Sequence, residues 1–304
     1  MNDRPSRNPR TLSERLRIGT FQATKIGAAR FDWRDPYHLA LTLPWPGFLL
    51  SVLAVYLAIN VLFALLYLVD PDSIANARPG VFGDAFFFSI ETLATVGYGV
   101  RAPSSTYGHV IASTELIVGM AFTAIMTGLF FVRFSRPRAK FLFPEHVVVT
   151  PYNGTPTLMI RIGNGRMNVL TGARAHLTAL LRELSPEGQS FRRVHDMRLL
   201  RAHNPLFPLT WTLMHPIDAD SPLAGHTEAS LRDADIRLFL AVEARDHALS
   251  ATVHDLATYG ADEIRFGMRY TDAVSSDADG NTVADLTRLS LIEPSPLGTS
   301  SGTK

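Results

Sequence analysis

Apolar and polar positions divide the chain into unlike halves. Residues 45–69 contain no charge. At about 1.5 Å per residue, a helix of that length reaches roughly 37 Å, enough to cross a hydrocarbon core of about 30 Å with some tilt. A second apolar run covers 107–134. The segment 84–94 between them is apolar but too short to span, which predicts a re-entrant helix with Asp84 as its N-cap. Ahead of the first run, Asp35-Pro36 reads as a helix start. Tyr37, His38, Leu39, Ala40, Leu41 and Leu43 suggest a short amphipathic helix on the membrane surface, stopped by Pro44 and anchored by Trp45.

From about Phe141 the period changes. Short alternating runs recur at 146–150, 157–162, 173–181, 194–200, 211–217, 238–242 and 263–273, separated by turn signals such as Tyr152-Asn153-Gly154, 185–188, Asn204-Pro205 and 277–280. Many short strands with such punctuation predict an immunoglobulin-like β-sandwich, with a hairpin around 182–188. The organisation expected is therefore an N-terminal segment with its amphipathic helix (1–44), a transmembrane pore domain (45–138) and a β-sandwich (139–304) whose last ten residues are disordered.

Polar residues inside the spans carry their own expectations. Asn60 fits a helix–helix hydrogen bond better than a role in permeation. Glu115 must face protein or water, because a charge in lipid is costly. Gly119 and Gly128 suit either hinges or close packing.

Charge sets the orientation. The formal net charge of +1 argues against a nucleic-acid binder, but its placement is uneven. Eight Lys and Arg precede the first span, only Arg78 and Arg101 lie between the spans, and Arg133, Arg136, Arg138 and Lys140 follow the second. By the positive-inside rule both termini are cytoplasmic, and the re-entrant loop enters from outside a bacterial inner (plasma) membrane. The Arg-rich first thirty residues lack the apolar core of a cleavable signal. The four basic residues after the second span serve topology; they also suit a site for anionic lipid or phosphoinositide. There are no cysteines, which excludes disulfides, thiolate metal sites and Cys nucleophiles. The histidines of the second half show no metal-ligand spacing, and no hydrolase, P-loop or Rossmann motif occurs, so no enzyme activity and no cofactor are expected.

The re-entrant segment leads directly into Thr95-Val96-Gly97-Tyr98-Gly99. A pore passing K⁺ must replace the ion's hydration shell, and stacked rings of backbone carbonyls from four chains do so. Thr95, Val96, Gly97 and Tyr98 would supply carbonyls, and glycines at 97 and 99 permit the positive φ that turns successive carbonyls inward. This predicts a homotetramer conducting K⁺.

Two spans, this filter and a long β-rich tail resemble the inward-rectifier potassium channel family, most closely its bacterial (KirBac-type) branch. The resemblance runs from about Asp32 to Pro294 and rests on Ala85-Phe86-Phe87-Phe88-Ser89-Ile90-Glu91-Thr92, Arg133-Phe134-Ser135-Arg136-Pro137, Trp211-Thr212-Leu213-Met214-His215-Pro216-Ile217-Asp218, Asp262-Glu263-Ile264 and Arg269-Tyr270. It implies an ion pair between Glu91 and Arg101 that braces the filter, and an inner cavity lined by Met120, Thr123, Ala124 and Thr127. It also implies an aromatic gate at Phe131; the alternative, a Phe131 facing lipid or a neighbouring helix, stays open because Phe130 and Phe134 lie beside it. Thr123 departs from the strong rectifiers, which carry an acidic residue there to hold blocking polyamine or Mg²⁺. Glu187 and Glu243 match acidic positions of the cytoplasmic pore that would retain weaker block, or are ordinary exposed carboxylates. Ala248, Leu249 and Ser250 match a loop that narrows the cytoplasmic pathway. The competing readings are a weakly selective cation channel and a membrane-tethered sensory or binding protein with an immunoglobulin-like domain.

Overall fold

The computed structural model describes residues 13–18, 21–26, 35–135, 137 and 140–296. Two compact units emerge. One comprises residues 29–136; the other joins residues 1–28 to residues 137–304.

The first unit is helical. Helix α1 (Pro36–Thr42) begins where the Asp35 carboxylate accepts the His38 N–H at 2.8 Å, with Pro36 in the first turn. Helix α2 (Trp45–Tyr67) and helix α4 (Thr106–Phe134) have 23 and 29 residues, long and apolar enough to cross a membrane. Ser105 caps α4 by accepting the Gly108 N–H at 3.1 Å. Between them lies α3 (Phe82–Leu93). The outer face of α2 leaves Leu50, Leu53, Leu62 and Leu65 exposed, while Asn60, Phe63, Ala64 and Tyr67 are buried against Ala85, Phe88 and Ala112. An apolar exterior around a partly polar interior suits lipid surroundings and disfavours water.

Two expectations change here. Val81, not Asp84, occupies the cap position of α3. Asp84 sits in the first helical turn, where its carboxylate accepts the Arg78 N–H at 2.9 Å and pairs with the Arg78 guanidinium, so the chain before α3 folds back onto it. The two glycines of α4 also separate. A Cβ on Gly119 would lie 2.2 Å from the Leu93 carbonyl oxygen, whereas nothing lies within 4 Å of one on Gly128. Gly119 is a close-packing position; Gly128 has open space.

The second unit is a sandwich of two five-stranded sheets. One orders the strands His203–Phe207, Leu170–Leu184, Arg237–Asp246 and Ala251–Gly260, with Ser190–Met197 also paired to Leu170–Leu184. The other orders Thr210–Pro216, Thr155–Asn164, Val147–Tyr152 and Ile264–Phe266, with Phe141–Leu142 beside Thr155–Asn164. Alternation builds the core: Ala173, Ala175, Leu177, Ala179 and Leu181 face inward opposite Ile160, Ile162, Trp211 and Leu213. Tyr152-Asn153-Gly154 forms a two-residue hairpin, with φ of 51° at Asn153 and 80° at Gly154 and Tyr152 opposite Thr155. The hairpin expected near 182–188 closes through Ser185 and Gln189.

Several elements differ from the sequence reading. Asn204-Pro205, expected as a turn, lies inside the strand His203–Phe207, which pairs with Leu170–Leu184. Ala251–Gly260 is a ten-residue strand, and Glu228–Asp233 forms a short helix, α5. The run 263–273 is broken at Gly267, whose φ of 68° separates Ile264–Phe266 from Met268–Tyr270. The N-terminal segment also divides. Ser13–Ile18 and Phe21–Ile26 pair as a hairpin in the sandwich unit, while α1 belongs to the helical one. The tail expected to be disordered falls, from residue 297 on, outside the described residues.

Candidate functional site

The segment Thr95-Val96-Gly97-Tyr98-Gly99 starts just after α3 ends. Its amides fold back onto the last turn of the helix: Thr95 N–H donates to Thr92 O at 3.0 Å, and Val96 and Gly97 N–H donate to Glu91 O at 2.9 and 3.3 Å. In a trans peptide the carbonyl points opposite to the N–H. The carbonyls of Thr95 and Val96, whose planes hold those two donors, therefore point away from α3. Positive φ recurs at every second residue, 56° at Thr95, 56° at Gly97 and 79° at Gly99. Glycine takes this conformation freely; at Thr95 it carries a steric cost, held here by the Thr92 bond. Val96 and Tyr98 leave more than half of their surface exposed on the single chain.

Beside residues 95–99 stands a charge cluster. Arg101 reaches Glu91 at 3.7 Å and Asp84 at 3.2 Å, and Asp84 also binds Arg78 at 2.9 Å. Arg101 thus serves two carboxylates, and the closer is one the sequence reading assigned to capping. Its side chain is 23% exposed, so the pairs are only partly screened. A cavity of about 280 Å³ adjoins this cluster, lined in part by Glu91, Thr92, Thr95, Gly97, Gly99 and Arg101. Asn76, unremarked in the sequence, closes the far end: its side chain donates to Val100 O at 2.8 Å. The residues around it are fixed by the short pairing of Ile74–Ala75 with Ala102–Pro103.

Helix α4 has two faces. Gly108, Ala112, Glu115 and Gly119 are buried against the rest of the unit. Met120, Thr123, Ala124, Thr127 and Phe131 are all exposed. At its C-terminal end Phe130 and Phe134 pack with Trp45 and Phe48 at centroid distances of 4.9 to 6.4 Å. Phe131 takes no part in that cluster and is 70% exposed.

Arg133 is turned inward. Its guanidinium donates to Ala40 O and, at 2.8 Å, to Leu43 O, and stacks over Phe48 and Trp45 at 4.3 and 4.7 Å. A cation on the last carbonyls of α1 satisfies groups a helix end leaves open. Among the basic candidates, Arg133 thus joins α1 to α4, Lys140 is exposed, and Arg136 and Arg138 lie outside the described residues.

In the sandwich, Glu187 and Glu243 are not brought together. Glu243 lies opposite Arg174, 3.9 Å away, and Glu187 is at the hairpin tip beyond Leu184. Ten residues of extended strand, roughly 33 Å, separate them. The Ser185 hydroxyl beside Glu187 holds its carboxyl below the usual range. Ala248, Leu249 and Ser250 form the loop between Arg237–Asp246 and Ala251–Gly260. Its shape is set by fully buried Asp246, whose Oδ1 accepts the N–H groups of Ala248 at 2.9 Å and Leu249 at 3.4 Å and the Asn168 amide at 2.7 Å. Nothing in the sequence marks Asp246 beyond its place just before the loop. Among the described residues no three His, Asp or Glu side chains converge as metal ligands would.

Comparison with known proteins defines the class first. Residues 51–136 match a family model described as an ion channel. Residues 141–301 match the inward rectifier potassium channel C-terminal domain. The chain is 39% identical to the inward rectifier potassium channel Kirbac3.1 of Paramagnetospirillum magnetotacticum, over 93% of this chain and 95% of that protein. It is 30% identical to the human ATP-sensitive inward rectifier potassium channel 10, over 72% of this chain and 61% of that protein. It is 26% identical to the mouse ATP-sensitive inward rectifier potassium channel 11, over 88% and 74%. The chain belongs to the inward-rectifier potassium channel family. It is a membrane protein with a two-helix pore domain and a β-rich cytoplasmic-type domain, and it is not an enzyme.

Proposed function

We propose that four copies of this chain form a K⁺-selective channel in the plasma membrane, with both termini cytoplasmic and with Thr95 to Gly99 as the filter. The observation that carries this reading is the anchoring of the Val96 and Gly97 amides on Glu91, together with positive φ at Thr95, Gly97 and Gly99. A backbone so arranged offers carbonyls to one side, as an ion stripped of water requires. Arg101, shared between Asp84 and Glu91, braces it from behind.

The exposed stripe Met120, Thr123, Ala124 and Thr127 supports an inner cavity, and the exclusion of Phe131 from the aromatic cluster supports a gate there that closes by dewetting. Thr123 brings no charge, so polyamine or Mg²⁺ block is weak and falls to Glu243, on the strand that leads into the Ala248–Ser250 loop, more than to Glu187. Anionic lipid biases gating through the basic run after α4, and Arg133 transmits the position of α1 to it.

The test is Rb⁺ uptake by liposomes containing the purified chain, with Ba²⁺ as blocker and Na⁺ as competitor, repeated with and without anionic lipid. Ba²⁺-sensitive uptake that Na⁺ does not displace supports the reading. Uptake displaced equally by Na⁺ supports a weakly selective cation channel instead.

A further inference from the structure

Four polar side chains lie fully buried where α2, α3 and α4 meet: Asn60, Tyr67, Ser89 and Glu115. The Tyr67 hydroxyl stands 2.7 Å from Glu115 Oε2. Ser89 Oγ touches Glu115 Oε1 and lies 3.1 Å from Asn60 Oδ1. The Asn60 amide nitrogen donates to Tyr56 O at 2.7 Å.

This last bond fixes the Asn60 amide. Tyr56 O can only accept, so the nitrogen must face it and the oxygen must face Ser89. Three oxygen–oxygen contacts then need three protons: Tyr67 to Glu115, Glu115 to Ser89, and Ser89 to Asn60. Tyr67 and Ser89 supply one each. If Ser89 spends its proton on a carboxylate, Asn60 Oδ1 is left buried with no donor, a costly arrangement.

We propose that Glu115 is held as a neutral carboxylic acid that donates to Ser89. Tyr67 donates to its other oxygen, and Ser89 is released to donate to Asn60. The chain of three bonds joins α2, α3 and α4. Among the described residues no cation faces Glu115 to support a charge. The ionisable group meeting it from α2 is Tyr67; on α3, Asp84 and Glu91 are both engaged by Arg101; on α4, His109 is exposed. A bare carboxylate in this position would be buried with two neutral hydroxyl donors and no cation to offset its charge, and it would strand Asn60 Oδ1.

Ser89 lies two residues before Glu91, whose carbonyl receives the filter amides. Glu115 lies one turn before Gly119, which rests on Leu93 O. Glu115 is therefore a positioning residue for the filter, acting through the rotation and depth of α3.

The experiment uses the full chain in liposomes at neutral pH, with two readouts. In infrared difference spectra between wild type and Glu115→Gln, the carbonyl stretch of a protonated carboxylic acid should be present in wild type and missing in the variant. A glutamine amide in that place can donate to Ser89 and accept from Tyr67, so the variant should assemble and keep Rb⁺ uptake within about twofold of wild type. Glu115→Met has neither function and should lose at least about tenfold in uptake. Absence of the band in wild type overturns the proposal. So does a Glu115→Gln variant that fails to assemble or loses uptake as Glu115→Met does. The functional role rests on the channel reading, but the infrared band does not. A chain that shows the band and takes up no Rb⁺ fails as a channel and keeps its neutral Glu115; one that takes up Rb⁺ without the band does the reverse.

Discussion

Gly119→Ala is a sharp perturbation because it adds one methyl group at the contact between α4 and the end of α3. The new Cβ would sit 2.2 Å from Leu93 O, 3.1 Å from Leu93 C and 3.2 Å from its Cα. All three are backbone atoms, so no rotamer change relieves them. Carbon contacts settle near 3.5 to 4.0 Å, and one helix must move by about 1 Å or more. Overpacking of this kind costs typically 1–3 kcal/mol, and rigid backbone on both sides favours the upper end. Replacing glycine inside a helix returns about 1 kcal/mol. The net loss is about 2 kcal/mol per subunit, roughly thirtyfold in a folding equilibrium. Leu93 is two residues from Thr95, so the shift should reach residues 95–99, the proposed filter. The assay is thermal dissociation of the purified assembly together with Rb⁺/Na⁺ competition in liposomes. Gly119→Ala should lower both stability and selectivity; Gly128→Ala, with open space around its Cβ in the chain, should lose neither through steric conflict. Wild-type melting and selectivity in Gly119→Ala would refute the reasoning.

Arg101→Ala leaves Glu91 without its cation and Asp84 with Arg78 alone, and should reduce Rb⁺/Na⁺ selectivity; Arg101→Lys should restore it only in part, since one ammonium replaces a fork that serves two carboxylates. Phe131→Ala should raise open probability in single-channel records, while Phe130→Ala, which removes contacts to Trp45 and Phe48, should instead lower stability. Asp246→Ala strips the acceptor from two loop amides and Asn168 and should cost about 3 kcal/mol in thermal unfolding of the full chain, with Asp246→Asn costing less. His215 gives a pH dependence. Its Nδ1 faces Arg198 O at 2.7 Å and its Nε2 faces Ser221 Oγ at 2.8 Å, which suits the neutral ring, and burial pushes its pKa below the ordinary value near 6.5. The unfolded state then binds the proton more readily. Stability is full above the ordinary histidine value and falls as pH drops through the folded one, so melting temperature should decline from pH 7 to pH 5, less steeply in His215→Gln.

The membrane half was largely legible because its physics is written in consecutive residues. Apolar runs of membrane-spanning length mark the spans, Asp35-Pro36 marks the start of α1, and the glycines at 97 and 99 mark backbone that only they adopt freely. Long-range partners were not legible. Nothing local distinguishes Asp84 the cap from Asp84 the partner of Arg78 and Arg101, because the loop that returns Arg78 has no sequence period. Glu115 was readable as a residue needing protein around it, but Tyr67, Ser89 and Asn60 come from other helices. In the sandwich, Ala251–Gly260 escaped because His254, Asp255 and Leu256 are successive exposed positions and break the alternation. Helix α5 has only six residues, and its capping box pairs Thr227 with Ser230 in place of an acidic residue. The hairpin at Ser13–Ile18 and Phe21–Ile26 was hidden by its basic residues, which read as a topology signal.

The central claim is that the backbone of Thr95 to Gly99 selects K⁺. Its most direct test is the bi-ionic reversal potential of the reconstituted chain with K⁺ on one side and Na⁺ on the other, measured for wild type and Gly97→Ala. A side chain at Gly97, where φ is 56°, should displace the carbonyls on either side of it. Strong K⁺ preference in wild type and its loss in an assembled Gly97→Ala variant is the result predicted. Equal permeability to both ions in wild type, or undiminished K⁺ preference in the variant, would contradict it.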